Sequence, residues 1–266
     1  MREQAADLLA EGDELYALLL DLAGSDWERA TPFKGWTVDD VMWHLHMGDW
    51  LAVQSLTRPE SFDRVIEARA AARARGEEGT EVPGLTPVRI GGPRLRERWR
   101  SFFVEMCEAL GGADPRKRVR WVGPDMSVRM FATARQMETW AHGQDVYDLL
   151  RRPRTCHDRI RNIAELGCRT FRWTFTNRGE LPPVPVPHVR LTAPSGAQWV
   201  WHEPSERDLV AGPAVDFCRV VTQGRNIADV SLTVVGESAR RWMAIAQCFA
   251  GPPREPPAPG ERVRGP

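Results

Sequence analysis

The chain has 266 residues, 42% of them hydrophobic, and its 36 basic and 36 acidic side chains cancel to a formal charge of zero. That is too long for a disulfide-stapled mini-protein and too apolar for a disordered chain, and the balanced charge leaves no whole-chain footprint for nucleic acid or anionic lipid. No apolar run reaches the length of a membrane span, and the acidic, amphipathic start is unlike a secretory leader, so a cytoplasmic globular protein is expected.

In chain order, AADLLAEGDELYALLLDLA repeats apolar residues at three and four and predicts a first helix ending near Gly24. After a loop with Pro32 and Gly35, Thr37 and Asp40 form a capping-box pattern that opens a second helix through about Leu56. Glu67 to Glu81 reads as a shorter, arginine-rich helix running into a mobile loop, and Gly91-Gly92-Pro93 punctuates. Residues 94–110 form a third long helix with Leu95, Trp99, Phe102, Phe103, Met106 and Leu110 on one face. Met126 to Leu150 is a fourth, closed by Arg151, Arg152 and Pro153, and a fifth runs from Asp158 to about Asn177. Long amphipathic helices joined by loops predict a bundle over 1–180.

The texture then changes. LPPVPVP (Leu181 to Pro187) reads as a linker. HVRLTA and AQWVW form a hairpin about Pro194-Ser195-Gly196. RDLVAG offers a third strand, PAVDFCRVVTQG a helix, SLTVVG a strand and ARRWMAIAQCFA a last helix. This predicts a small α+β domain over 181–250, and the proline-rich remainder, 251–266, is expected to be disordered. The five cysteines (Cys107, Cys156, Cys168, Cys218, Cys248) are scattered with no C-x-x-C, which argues for reduced thiols. Four lie in apolar helical runs, and Cys156, beside His157, is the one with a case for reactivity. Lys34 and Lys117 are the only lysines, an arginine bias typical of a GC-rich host.

The chemistry concentrates in ARQMETWAHGQDVYDLL of the fourth long helix. Glu138 and His142 are four residues apart and share a face, with Arg135 and Asp145 near the same stripe. A carboxylate and an imidazole stacked in this way can grip a divalent cation, and Asp145 can accept the other imidazole N–H. As an isolated feature the pair is equally compatible with a solvated i,i+4 contact. The flanking Met130, Phe131, Met137, Trp140 and Val146 leave little room for a purely solvated stripe. A third ligand has to come from another helix, and VMWHLHMGDW offers both His44 and His46. His44 shares its face with Gly48, which would leave a gap for a ligand; His46 points nearly opposite, toward Met42, Trp50 and Val53. Arg135 is a candidate partner for a substrate carboxylate, or a cation supporting the ligands, and equally reads as one surface arginine among many. Trp36, Trp43, Trp50 and Trp140 flank the same region as wall or core.

Two runs, Gly35, Trp36, Thr37, Asp40, His44, Leu45 and, about ninety residues on, Glu138 to Asp145 (E-T-W-A-H-G-Q-D), resemble the metal-site helices of the DinB-like bundle family. The likeness is to the branch that includes mycothiol-dependent maleylpyruvate isomerase. It implies a four-helix bundle followed by a small sterol-carrier-like domain, an α+β fold overall. The resemblance also implies metal ligands His44, Glu138 and His142, with Asp145 matching the acidic residue one turn later and one coordination position left open. Zinc is the expected metal, with nickel or manganese as alternatives, and mycothiol the expected cosubstrate. Arg225, after the apolar helix of the small domain, corresponds loosely to an arginine that helps hold substrate in that family. Trp36 and Trp140 are expected to line the cofactor pocket, and Arg135, Asp145 and Arg225 to serve the reaction.

An open three-ligand site is the catalytic arrangement, since structural zinc is normally closed by four protein ligands. A thiol ionised there can add to an activated double bond or displace a leaving group, so the expected activities are cis–trans isomerase or S-transferase on a small, carboxylate-bearing substrate. Competing readings are a hydrolase or lyase that activates water, and a non-catalytic ligand carrier. A non-haem iron oxygenase ranks last, because its two histidines and carboxylate normally sit on a β-rich scaffold. A monomer or homodimer without nucleic-acid or membrane partners is expected.

Overall fold

The computed structural model describes residues 1–77, 79 and 81–262. It divides into two compact units, Met1–His142 and Gly143–Pro266.

The first unit is helical. α1 (Arg2–Leu20) and α4 (Gly92–Gly112) pack together, and α2 (Val38–Thr57) packs on α4 and on α3 (Pro59–Ala74). α1 buries Leu8, Leu15 and Leu19 at the three-and-four spacing read from the sequence, against Leu95, Trp99, Phe103, Met106 and Leu110 of α4. Gly12 is the notch in that seam: a Cβ there would stand 2.2 Å from the Phe103 ring. α5 (Val128–Leu150) joins α1 through Gln4, which hydrogen-bonds the Thr133 hydroxyl and the Arg129 carbonyl. A two-residue hairpin, β1 (Arg118–Val119) with β2 (Met126–Ser127), leads into α5. The capping box holds as read, since Thr37 Oγ1 accepts from the Asp40 N–H at 3.1 Å and Asp40 Oδ2 from the Thr37 N–H at 2.9 Å.

α3 differs from its expected Glu67–Glu81 span. It begins eight residues earlier, with Pro59 in its first turn, because Phe62 and Val65 make a cluster with Leu51 of α2. The expected mobile loop includes Glu78 and Thr80, which lie outside the described residues.

His46 sits in this unit at 1% exposure, between the Trp43 and Phe102 rings, and neither ring nitrogen has a hydrogen-bond partner among the described residues. Burial, reinforced by the Arg98 charge, pushes its pKa down to about 4. An unfolded histidine takes up its proton near pH 6.5, so the unfolded chain binds more protons across pH 6.5 to 4 and stability falls through that window, by about 3 kcal/mol at its foot. His46→Leu is expected to raise Tm at neutral pH by a few degrees and to flatten this acid limb. Thermal denaturation at pH 7 and pH 4.5 checks both, and an unchanged dependence on pH would count against the assignment.

The second unit carries a four-stranded sheet in the order β4-β3-β5-β6: β3 (His188–Thr192), β4 (Gln198–Trp201), β5 (Leu209–Pro213) and β6 (Thr233–Val235). β3 and β4 form the expected hairpin, with Val189 opposite Trp201 and Thr192 opposite Gln198. β5 runs parallel to β3 and antiparallel to β6. α8 (Ala214–Val221) packs on β3 and β5, and α9 (Glu237–Ile245) on β6. The predicted fifth helix is broken into a short 3-10 turn, α6 (Arg161–Arg169) and α7 (Phe171–Thr176). α6 packs on α8 and α7 on α9, so these helices belong with the sheet and the division falls at His142, earlier than the expected 180.

The tail corrects a second expectation. Through residue 262 it is held in place: Asn177 donates to the Gly251 carbonyl, Gln223 to that of Arg254 and Asn226 to that of Pro257, while Asp229 accepts from the Gly260 N–H. Composition marked the segment as unable to build a core, yet it needs none, because side chains of the folded unit satisfy its backbone. Residues 263–266 lie outside the described ones. No described helix is long and apolar enough to cross a membrane.

Candidate metal centre

α2 and the part of α5 up to His142 bring His44, Glu138 and His142 together within the first unit. One ligand atom from each can be chosen so that all lie within 4.8 Å of one another. Glu138 Oε2 is 3.2 Å from His44 Nε2 and 3.6 Å from His142 Nε2, and the two imidazole rings meet edge to face with centroids 4.7 Å apart. Ligands about 2.0–2.1 Å from a tetrahedral zinc stand roughly 3.3 Å from one another, so two nitrogens and a carboxylate oxygen at this spacing fit such an ion.

The electrostatics favour a cation. Burial by itself would raise the Glu138 pKa, but the hydrogen bond with His44 and the charges of His142 and Arg135 outweigh it and hold the carboxyl at about 2. For His44, burial outweighs the pull of Glu138 and lowers the pKa, so the ring is neutral at pH 7. An ionised carboxylate and a neutral imidazole are the forms that ligate metals.

The wall of the site comes from the turn before α2. Trp36 N–H bonds the Phe33 carbonyl at 2.9 Å, and Lys34 (φ 53°) and Gly35 (φ 70°) between them both lie in the left-handed region. That is a type I′ turn, and it puts the first and last side chains on one side of the loop. Phe33 meets the His142 ring edge-on at 4.9 Å, and Trp36 stacks on it at 6.0 Å and 13° while standing 5.4 Å from His44. Trp36 thus stands beside both imidazoles. Phe33 was missed, although its place in F-K-G-W, with glycine at the left-handed position, was a usable turn signal.

The other expected residues are placed differently. Trp140 is enclosed at 1% exposure, about 200° around the helix from Glu138. Arg135 does not stand ready for a substrate: its Nε and one terminal nitrogen each lie 2.9 Å from Asp49 Oδ1, and Asp49 Oδ2 accepts from Trp99 Nε1 at 3.0 Å. The gap expected at Gly48 is filled by this guanidinium, whose atoms lie 2.8–3.0 Å from where a Cβ would be. Asp49 was missed. A carboxylate between Gly48 and Trp50 in an apolar helix was the signal, since it demands a buried partner. In the second unit, Asp145 accepts from Arg262 of the tail, and Arg225 grips Asp148 through both oxygens at 2.7 and 2.8 Å. No disulfide links the five cysteines among the described residues; four are buried and Cys156 is half-buried.

Fold and site together define a class: a helical bundle with a two-histidine, one-carboxylate cluster on adjacent helices, followed by a small α+β unit. Residues 8–147, just over half of the chain, match the mycothiol maleylpyruvate isomerase N-terminal domain, and the chain belongs to that family. Two proteins from strains of Mycobacterium tuberculosis, both described as uncharacterised, are each 39% identical over 250 residues, covering 93% of this chain and 95% of theirs. A crystal structure of mycothiol-dependent maleylpyruvate isomerase shares the fold, with a TM-score of 0.50 at 13% identity over 82% of this chain and 87% of that one.

Proposed function

We propose that this protein is a metal-dependent, cytoplasmic enzyme that uses a low-molecular-weight thiol, mycothiol in its host, to isomerise or S-transfer a small carboxylate-bearing substrate. The observation that carries this is the convergence of His44, Glu138 and His142 beneath the Phe33–Trp36 wall, in a chain of this family. A divalent cation held by these three residues, zinc first and nickel or manganese as alternatives, would lower the pKa of a thiol and keep it as thiolate near neutral pH.

The chain's own residues do the rest. Glu138 supplies one negative charge and keeps it throughout the physiological range, while His44 and His142 leave their Nε2 atoms facing it. Phe33 and Trp36 shield the imidazoles from water on one side and offer an aromatic surface to an organic substrate. Lys34, with its ammonium 4.6 Å from the Phe33 centroid, is the cation this turn offers to a carboxylate. Asp145 and Arg225, tied into salt bridges, enter as supports of α5 and not as groups that touch substrate. Addition of the thiol sulfur to an activated double bond, rotation and release of the thiol amounts to cis–trans isomerisation; retention of the sulfur amounts to transfer.

Cobalt-substituted protein tests this reading. Mycothiol is expected to produce a near-ultraviolet thiolate-to-cobalt charge-transfer band in the wild type and none in His44→Ala. A cobalt spectrum unmoved by millimolar thiol would overturn the thiol role and favour a water-activating hydrolase.

A further inference from the structure

We propose that the buried Asp49–Arg135 pair, seated in the notch left by Gly48, is a positioning element that sets His44 against Glu138 and His142. The inference rests on the metal-site reading above. One carboxylate gathers three helices: Asp49 is on α2, its Oδ1 receives Arg135 of α5 and its Oδ2 receives Trp99 of α4 at 3.0 Å. The same two helices that this pair clamps supply the ligands. His44 lies one turn before Gly48 on the same face of α2, and Glu138 lies one turn after Arg135 on α5. The clamp therefore sits directly beneath the ligand set on both helices.

Gly48 shows how close the approach is. It occupies the middle of α2, where glycine is the least favourable residue apart from proline. A Cβ at that position would stand 2.8 Å and 2.9 Å from the two terminal guanidinium nitrogens and 3.0 Å from Cζ. The α2 surface is cut away where Arg135 enters. Stability does not account for this arrangement, because well-packed apolar residues commonly match or exceed a buried ion pair. What the charged pair adds is geometry. Arg135 donates through Nε to one Asp49 oxygen, with a terminal nitrogen in ion-pair contact with the same oxygen at 2.9 Å, which ties the axial register of α5 to α2, and both partners are almost wholly enclosed, at 4% and 0% side-chain exposure.

The test separates register from stability. Zinc affinity would be measured by competition with a chromophoric chelator, and fold stability of the metal-free protein by chemical denaturation. In the apolar double variant Asp49→Leu/Arg135→Met, stability is expected to equal or exceed the wild type while zinc binds about 10–100-fold more weakly, as for other groups that orient ligands. Gly48→Ala, which adds a single methyl and improves helix propensity, is expected to weaken zinc by at least about tenfold, and Arg135→Lys to recover part of the double variant's loss. Gly48→Ala keeps the proposal falsifiable if the double variant does not fold. Zinc affinity within about twofold of wild type in Gly48→Ala, and in the double variant where it folds, would overturn the positioning role and leave the metal site standing. A wild-type chain that binds no zinc would overturn both.

Discussion

Arg262→Ala is expected to destabilise the second unit by about 3–5 kcal/mol, the cost of breaking a buried ion pair from one side. The Arg262 guanidinium contacts Asp145 and donates to the Gln223 carbonyl at 3.1 Å, with side-chain exposures of 7% for the arginine and 2% for the aspartate. Burial depresses the guanidinium itself to about 10, a sign of how far it has been withdrawn from water. Without it the enclosed carboxylate loses this guanidinium. At this unit's size the loss corresponds to a Tm lowered by roughly 10–15 °C, and salt should change it little because the pair is shielded from counter-ions. Truncation after Gly251 should reproduce most of the effect. Arg225→Ala should cost less, because Asp148 is 10% exposed and keeps its hydrogen bond from Gln144 at 2.8 Å. Calorimetry checks all three, and a shift under about 2 °C in Arg262→Ala would show that the tail lies on the surface without holding α5.

Glu138→Gln is the second large effect. The substitution keeps shape and removes the one negative charge among the three candidate ligands. Metal affinity is expected to fall by more than the roughly 10–100-fold that outer-shell changes cost, and thiol-dependent activity with it. The fold should survive, since α2 and α5 remain joined through Asp49 and Arg135. Because the Glu138 carboxyl is held at about 2, it stays ionised and available to a cation well into the acid range. A variant that binds zinc as tightly as wild type would remove Glu138 from the ligand set.

These consequences were legible in the sequence to different depths. His44, Glu138 and His142 could be read because helical periodicity converts spacing into a shared face, and because a capping box at Thr37 fixed where α2 begins and hence which face His44 takes. The resemblance to the DinB-like family decided between His44 and His46, which geometry left open. His46 does lie on the opposite, apolar side of α2, but buried and with neither ring nitrogen hydrogen-bonded among the described residues, which spacing alone does not foretell. Partners distant along the chain stayed invisible. Arg135 was visible as an arginine on the ligand stripe, but its mate lies 86 residues away, and no local pattern distinguishes a guanidinium that meets substrate from one that meets Asp49. The tail failed for a related reason. Arg262 is 117 residues from Asp145, and a proline-rich composition reports only that a segment cannot fold by itself. The sheet's strands were found one by one, but the parallel pairing of β3 with β5 depends on a crossover that alternation within a strand does not encode.

Metal content of the purified protein, measured by inductively coupled plasma mass spectrometry after zinc loading and desalting, tests the central claim most directly. The account predicts about one zinc per wild-type chain and close to none in His44→Ala, Glu138→Gln and His142→Ala, each with native helical content. Full zinc occupancy in any two of those variants, or none in the wild type, would contradict it.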